Sequence, residues 1–228
     1  MSAMAPDVQQ AAWLTIRLAL TTTLFLMIVS LPLAWWLARP GPWWKPVLGA
    51  IISLPLVLPP SVLGYYFLIA FGPSGPGGWV ARLWGGRTLA FSFPGLVVGS
   101  LLYVLPFAVQ PIQNAFRAIG RRPIEVAATL GASPWRTFWT VAVPLAWPGI
   151  VTAAVLGFAH SVGEFGIVLM IGGDIPGRTR VLSVALYDYV ENARWHDANM
   201  IACGMVLFSF IVIVLLSALR GEIRRTDA

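Results

Sequence analysis

The residue types that carry enzymatic chemistry are scarce in this chain. Its only lysine, Lys45, lies between Trp44 and Pro46, so the Gly-Lys-Ser/Thr end of a phosphate-binding loop is missing. The two histidines, His160 and His196, are too far apart in sequence to form the ligand pair of a zinc hydrolase. The sequence therefore predicts no catalytic residue, no metal site and no cofactor bound by this chain, and it excludes ATP hydrolysis by the chain alone.

Glu164 is the one charged side chain between Arg136 and Asp174. An ionisable residue within a long apolar stretch is a functional candidate, because its burial is costly. Gly163 and Gly166 flank it, and we predict that a helix breaks here. We expect the carboxylate to act as a structural pin or gate element bonded to backbone groups. A glutamate that only packs at an interface is the alternative.

Residues 121–134 contain the start and stop signals of a short helix between two apolar regions. Pro123 suits the first helical position, Glu125 lies in the first turn, and Gly131 can close the carboxyl end. Held by the flanking elements, such a helix could present Ala127 and Ala128 to the groove of a partner. A solvated loop that merely connects two spans is the alternative.

The composition sets the environment in which these residues act. Of 228 residues, 58% are hydrophobic and 11% are charged, against about 25% charged in soluble domains. With a mean hydropathy of +0.79, the chain cannot cover a globular surface with polar groups, which excludes a soluble enzyme. The net charge of +6 does not indicate nucleic-acid binding, because there is no polar face on which Lys and Arg could cluster. An integral membrane protein remains.

Five windows without any charged residue predict five transmembrane helices. The windows contain 21, 36, 29, 27 and 22 residues, and a helix needs about 20 to cross the bilayer core. The turn-rich segment 72–78 shortens the second window to one span. We therefore predict an all-α polytopic domain over residues 11–219, with spans near 12–38, 47–71, 91–113, 138–171 and 198–219.

The Lys and Arg residues orient these spans in the bilayer. Nine of them fall in the segments 38–46, 113–137 and 220–228, and six fall in the alternate segments. The positive-inside rule then places the N-terminal segment 1–10 outside and the tail 220–228 in the cytoplasm. The short helix, within a loop near 117–136, lies on the cytoplasmic side in this topology.

Three of the spans contain internal prolines, each of which is predicted to kink its helix. They are Pro55, Pro59 and Pro60 in the second span, Pro94, Pro106 and Pro111 in the third, and Pro144 and Pro148 in the fourth. A break inside the bilayer is tolerated where protein or a water-lined cavity satisfies the freed backbone groups, which favours a transport pathway over a plain anchor. Exposed backbone N–H groups and hydroxyls at such breaks could contact a passing ligand weakly. The candidate pathway and gate residues are Pro59, Pro60, Ser61, Gly64, Ser161, Gly163, Glu164, Phe165 and Gly166.

The loop resembles the cytoplasmic signature of the membrane subunits of binding-protein-dependent ABC importers. That signature reads Glu-Ala-Ala, three residues, Gly, nine residues, then Ile-x-Leu-Pro. Glu125, Ala127 and Gly131 fall in register with it, followed at the right distance by Val141-Ala142-Val143-Pro144. Val126 replaces the first Ala. The resemblance implies a type I importer transmembrane domain whose coupling helix docks on an ATPase subunit through Glu125, Ala127, Ala128 and Gly131.

Further stretches are similar to the molybdate-type branch of these permeases, and the resemblance covers residues 11–219. They are 54–66, 129–133, 163–166 and 175–180. Gln110 and His160 stand where relatives of that branch usually carry Arg, and we expect His160 to be a packed interface residue.

This resemblance implies a homodimer in the bacterial inner membrane, with two ATP-binding subunits that use ATP and an external molybdate-binding protein. The expected cargo is molybdate, with tungstate, sulfate or thiosulfate as alternatives. A carboxylate would repel such anions, so Glu164 is not expected to bind the cargo directly. A gradient-driven secondary transporter is the competing class, but it predicts internal repeats and coupling carboxylates.

Overall fold

The structure is a computed structural model that describes residues 6–83 and 85–226. Within those ranges the regular elements are all helical, which confirms the predicted all-α class. In chain order the α-helices are α1 (Pro6–Ala38), α2 (Lys45–Ser53), α3 (Pro60–Phe71), α4 (Pro76–Arg82), α5 (Phe93–Ile119), α6 (Arg122–Thr129), α7 (Pro134–Thr137), α8 (Val143–Leu145), α9 (Trp147–Gly163), α10 (Gly166–Gly172), α11 (Leu182–Glu191) and α12 (Trp195–Thr226). A 3₁₀ turn over Leu54–Leu56 follows α2, and a π-helical segment over Phe138–Ala142 joins α7 to α8.

Three of the helices, α1, α5 and α12, are long and apolar enough to cross a membrane unbroken. Two more candidate spans are bent: Lys45–Leu56 meets Pro60–Phe71 at 108°, and Pro134–Leu145 meets Trp147–Gly163 at 74°. Prolines stand at both bends, where they remove a backbone donor and force a change of direction. The count is five if each bent pair crosses the bilayer once.

The ends of each bent pair lie at opposite ends of the helix bundle. α1 and α5 run in the same direction, because the Arg17 guanidinium lies 4.6 Å from the Phe93 ring centroid at one end and the Trp35 and Phe116 rings lie 5.0 Å apart at the other. The first bent pair starts beside the second of these ends, where Lys45 Nζ donates to the Arg39 carbonyl oxygen at 2.7 Å.

The same bent pair finishes at the opposite end of the bundle. There the Phe71 carbonyl oxygen accepts a hydrogen bond from the backbone N–H of Leu89 at 3.0 Å, four residues before α5 begins. The second bent pair likewise starts with Phe138 packed 5.5 Å from Trp35. Its continuation α10 ends where the Ile171 carbonyl oxygen accepts a hydrogen bond from the Phe91 N–H. Both pairs therefore run from one end of the bundle to the other.

The packed interior has a cluster at each end of the bundle. At the Arg17 end, Leu18, Leu96 and Ile167 are buried among α1, α5 and α10. At the Trp35 end, buried residues of α1, α5 and α9 form the second cluster, which includes Val104 and Ala153. Because lipid is as apolar as these side chains, close packing rather than the hydrophobic effect holds such helices together.

Several helices extend beyond the predicted spans. α5 reaches Ile119 rather than residue 113, and α12 continues through residues 220–226 of the predicted tail. α1 begins within the segment 1–10, at Pro6, while residues 1–5, 227 and 228 lie outside the described part.

Candidate functional site

The two broken spans meet each other directly. α3 packs against α10, and a Cβ on Gly64 would lie only 2.6 Å from Met170 Cβ. A Cβ on Gly166 would similarly lie 2.8 Å from Pro60 Cβ. Residues that the sequence placed on separate spans are therefore brought together, and glycine at position 64 is what permits the close approach.

The first break has an open face. Pro59 is extended, with φ −56° and ψ 135°, and Pro60 starts α3 without needing a backbone donor. Ser61 is exposed, as are Tyr65 and Tyr66 on the same helix. The hydroxyl and the two aromatic rings are therefore available to a ligand, to lipid or to another protein.

The second break lies at Glu164, as the two flanking glycines indicate. α9 ends at Gly163, and α10 begins at Gly166 after Phe165, whose φ of −123° and ψ of −61° depart from helical values. The Phe165 ring packs 5.1 Å from the Tyr187 ring of α11. The Glu164 carbonyl oxygen, freed by the break, accepts a hydrogen bond from Ser183 Oγ at 2.6 Å.

The carboxylate of Glu164 does not make the predicted bonds to backbone groups. Glu164 is only 5% exposed, and neither of its carboxylate oxygens has a hydrogen-bond partner among the described residues. Ser100 of α5 faces it, yet the Ser100 hydroxyl is also buried without a hydrogen bond of normal geometry. The backbone of Glu164, rather than its side chain, is pinned, and an unpaired buried carboxyl group remains at the break.

Ser161 faces its own helix in this structure. It is 3% exposed, and its hydroxyl donates to the Gly157 carbonyl oxygen at 2.9 Å within α9. This arrangement does not favour the expected ligand contact, because a serine in a helix can satisfy its donor on the carbonyl four residues earlier. His160 is a packed residue as predicted, with its ring stacked 3.9 Å from that of Phe107.

The predicted short helix forms as α6, and its carboxyl end is a Schellman motif. The Ala132 N–H donates to the Ala127 carbonyl oxygen and the Gly131 N–H to that of Ala128, both at 3.0 Å. Gly131 has φ +78°, a left-handed conformation that other residues adopt only with strain. The predicted closing glycine thus has a specific backbone role.

The exposed face of α6 differs from the prediction. Glu125 and Ala128 are exposed, but Ala127 is 8% exposed and packs inward, so it cannot be presented to a partner. Val126 and Leu130 are 58% and 82% exposed, respectively, and their spacing of four places them on one face. The sequence signal for this face was present in the i, i+4 pair of branched apolar residues.

An aromatic cluster lies beside α7 and the π-helical segment, the two segments on which α6 packs. It consists of Trp35 of α1, Phe116 of α5 and Phe138 at the start of the π-helical segment, with ring centroids 5.0 to 6.1 Å apart. Trp135 extends it from α7, 6.1 Å from Phe138. The sequence did not indicate this cluster, because its rings come from three separate segments of the chain.

At the opposite end of the bundle, the partly buried Arg180 forms ion pairs with three aspartates. Arg180 pairs with Asp174 (Nε to Oδ1, 2.9 Å), with Asp188 of α11 and, at 4.0 Å, with Asp7 of α1. Burial raises the pKa of Asp174 above its ordinary value, and Arg180 opposes that shift. The cluster fixes the loop 173–181 to α1 and α11.

A cavity of about 530 Å³ opens at the Trp35 end of the bundle, between α2, the end of α1 and the last turns of α5. Its polar lining includes Arg39, Lys45 and Arg117. Gln110 Nε2 donates to Ser53 Oγ at 3.2 Å and so links α5 to α2 at its wall. The sequence singled out Lys45 and Gln110 separately but did not predict that they share a cavity with Arg39 and Arg117.

The whole arrangement has counterparts among known proteins. Residues 30–223 match the family described as "Binding-protein-dependent transport system inner membrane component". The chain is 57% identical over 207 residues, 91% of this chain and 92% of the relative, to the molybdenum transport system permease protein ModB of Azotobacter vinelandii. It is 32% identical to a probable sulfate transport system permease protein, cysT, of Marchantia polymorpha, over 96% of this chain and 76% of the relative.

The fold is also shared with a solved transporter. A chain in the crystal structure of a bacterial alginate ABC transporter, in complex with an alginate pentasaccharide-bound periplasmic protein, matches with a TM-score of 0.76 at 16% identity. The match covers 96% of this chain and 80% of that chain. At this identity the likeness concerns the fold alone.

Proposed function

The chain belongs to the binding-protein-dependent transport system inner membrane components, and on that premise we propose that it is the permease subunit of an ATP-driven importer of molybdate. The observation that carries the cargo is the 57% identity to a molybdenum permease over 91% of the chain. Sulfate is the second candidate, because a sulfate permease is 32% identical over 96% of the chain. Tungstate and thiosulfate share the oxyanion chemistry of both.

The proposed assembly contains two copies of this chain, two ATP-binding subunits and an external molybdate-binding protein. The open face of α3 around Tyr65 and Tyr66 supports a pathway shared with a second copy, because aromatic side chains are exposed beside the break. The excess of Lys and Arg in alternate segments supports an external N-terminus and a cytoplasmic C-terminus. ATP is hydrolysed by the partner subunits, and this chain is not itself an enzyme.

The proposed contact with the ATPase is the exposed face of α6. Val126 and Leu130 provide the apolar anchors, Glu125 and Ala128 complete the surface, and Gly131 fixes the end of the helix. Ala127 acts from behind by packing α6 onto the permease. A short helix in a groove is a familiar mode of recognition, in which a few side chains at i and i+4 supply the affinity.

Movement of α6 would reach the pathway through the aromatic cluster. α6 packs on the π-helical segment that leads towards α9, and Phe138 at the start of that segment contacts Trp35 of α1 and Phe116 of α5. Closely packed side chains compress little, so a shift of one ring moves its neighbours. Closure of the ATPases would therefore shift these helices together. The spans change direction at the bends beside Pro59 and Ala146 and at the break at Glu164.

Glu164 is proposed as a gate element rather than a cargo ligand. It is buried where α9 turns into α10, and α10 packs on α3 at the other break. A carboxylate would repel an oxyanion, so its contribution is to the closed packing at this junction. Gly163 and Phe165 set the geometry of the turn on either side of it.

The proposed function is tested by reconstituting the chain into liposomes with its ATPase and binding protein, and measuring uptake of molybdate, tungstate and sulfate. We expect ATP-dependent uptake with molybdate preferred over sulfate. Uptake that persists without the ATPase would contradict the importer mechanism. A preference for sulfate would contradict the cargo alone.

A further inference from the structure

The cavity at the Trp35 end of the bundle is faced by an unusual stripe on α5. Gln110, Gln113, Asn114 and Arg117 follow the spacing i, i+3, i+4 and i+7, which places them on one side of a helix. Val109, Ile112 and Phe116 on the other side are buried. Polar side chains are costly in a membrane helix unless they face a water-filled path, and all four of these line the same cavity.

The charge of this cavity has one sign. Arg39, Lys45 and Arg117 line it, and no Asp or Glu does among the described residues. Lys45 is 8% exposed and fixed by bonds to the carbonyl oxygens of Trp36 and Arg39. The Arg39 guanidinium lies 4.0 Å from the Trp35 ring centroid. Two of the three cations are therefore held in place by the protein itself.

The uncharged part of the lining offers hydrogen-bond donors. The amide groups of Gln113 and Asn114 make no side-chain hydrogen bond with the described residues, whereas Gln110 spends one donor on Ser53. Amide N–H groups and guanidinium forks both match the oxygens of a tetrahedral oxyanion. Amides bind such an anion more weakly than charged groups would, which permits release.

We infer that this cavity is a transient oxyanion site on the cytoplasmic side, where the cargo dwells after passing the gate. Arg117 and Arg39 attract the anion, and the amides of Gln113 and Asn114 donate hydrogen bonds to it. The inference rests on the proposed function and deepens it, because it assigns the release side of the pathway to named residues. The phosphate of a lipid headgroup has the same chemistry, so the experiment separates the two sources.

The experiment places a thiol reporter in the cavity. The chain has a single cysteine, so Cys203→Ser gives a background without thiols. Asn114→Cys reports from the stripe, and Thr129→Cys, exposed on the same side of the bundle, is the matched reporter outside the cavity. Each is labelled with an anionic and a cationic methanethiosulfonate of similar size, in detergent and in vesicles of stated composition.

We expect the anionic reagent to be favoured several-fold more at Asn114→Cys than at Thr129→Cys. Adding Arg117→Gln is expected to lower this preference about twofold in 0.15 M salt, and further at low salt, for one charge about 8 Å away. Millimolar sodium molybdate is expected to slow labelling at Asn114→Cys at least twofold, with no effect at Thr129→Cys. Equal charge preference at the two reporters would overturn the inference.

The source of the anion is decided by lipid composition. Protection by molybdate in vesicles of phosphatidylcholine alone supports a cargo site. Protection that requires anionic phospholipid and does not respond to molybdate would overturn the cargo assignment in favour of a lipid headgroup.

Transport supplies a second, independent readout. Arg117→Gln is expected to lower molybdate uptake several-fold while assembly with the ATPase is retained, and Arg82→Gln, on the other side of the bundle, serves as the matched control. If the wild-type importer takes up no molybdate, the proposed function fails. If wild-type uptake is normal and Arg117→Gln matches it, only the release site fails.

Discussion

Leu130 provides the sharpest test of the proposed docking surface, through the substitution Leu130→Ala. Its side chain is 82% exposed directly after α6, with no visible reason in the single chain for a large apolar group to face water there. If the ATPase covers it, truncation removes three carbon atoms from the interface and leaves the fold of the permease unchanged.

The size of the effect follows from the exposed fraction. Burial is worth about 0.8 kcal/mol per CH₂ group, so three groups that are about four-fifths exposed amount to about 2 kcal/mol. That corresponds to a roughly thirtyfold increase in Kd. The entropy lost when the interface becomes ordered offsets part of this burial free energy. We therefore expect Leu130→Ala to raise the Kd by about ten- to thirtyfold. Val126→Ala, from a 58% exposed residue, should cost less.

The assay is binding of the purified ATPase to the permease in lipid nanodiscs, followed by interferometry. Leu83→Ala is the matched control, because Leu83 is 81% exposed and lies beyond α4 on the opposite side of the bundle. An unchanged Kd for Leu130→Ala, or an equal loss for Leu83→Ala, would refute the placement of the docking face on α6.

Three further substitutions test other parts of the proposal. Gly131→Ala forces a left-handed φ of +78° on a residue with a Cβ, which costs about 1–2 kcal/mol. We expect this variant to stimulate the ATPase less than the wild type does, and Gly131→Asn to be less affected. Equal stimulation by the two variants would contradict the role of the φ angle. Glu164→Gln keeps the volume at the second break, so assembly measured by size-exclusion chromatography should be intact while molybdate uptake falls; unchanged uptake would remove Glu164 from the gate. Gly64→Ala brings a Cβ to 2.6 Å from Met170 Cβ, an overpacking that costs about 1–3 kcal/mol. We expect a lower thermal midpoint, with Gly204→Ala in α12 as the control because a Cβ there meets no atom within 4 Å; an equal fall for both variants would place the strain elsewhere.

The crossings of the bilayer could be predicted from the sequence because a missing charge is a property of composition. Each charge-free window had to be long enough for one helix, whichever way its side chains faced. Proline alone did not locate the bends: Pro106 and Pro111 lie inside α5, which stays unbroken, whereas Pro59 and Pro144 lie at the two bends. Their angles, 108° and 74°, depend on the neighbouring helices and leave no mark on the local sequence.

The direction in which individual side chains point could not be predicted in the same way. Ala127 is small enough to lie on either face of α6, and only the packing of α6 against its neighbours turns it inward. Ser161 could have faced a ligand or its own helix, and the backbone oxygen of Gly157 was always within reach. A small residue on a short helix can face the protein or the solvent, and a serine hydroxyl can bond a ligand or its own helix. The tertiary contacts decide between these alternatives.

The last turns of α5 connect three features that the sequence presents separately. Phe116 packs near Phe138, at the start of the segment on which α6 packs, while the next residue, Arg117, faces the cavity. Neighbouring residues on a helix point about 100° apart and cannot move independently. A displacement of α6 that shifts Phe116 must therefore also move Arg117. We expect the electrostatics of the release side to change when the ATPases close, which couples release of the anion to the same motion that opens its path.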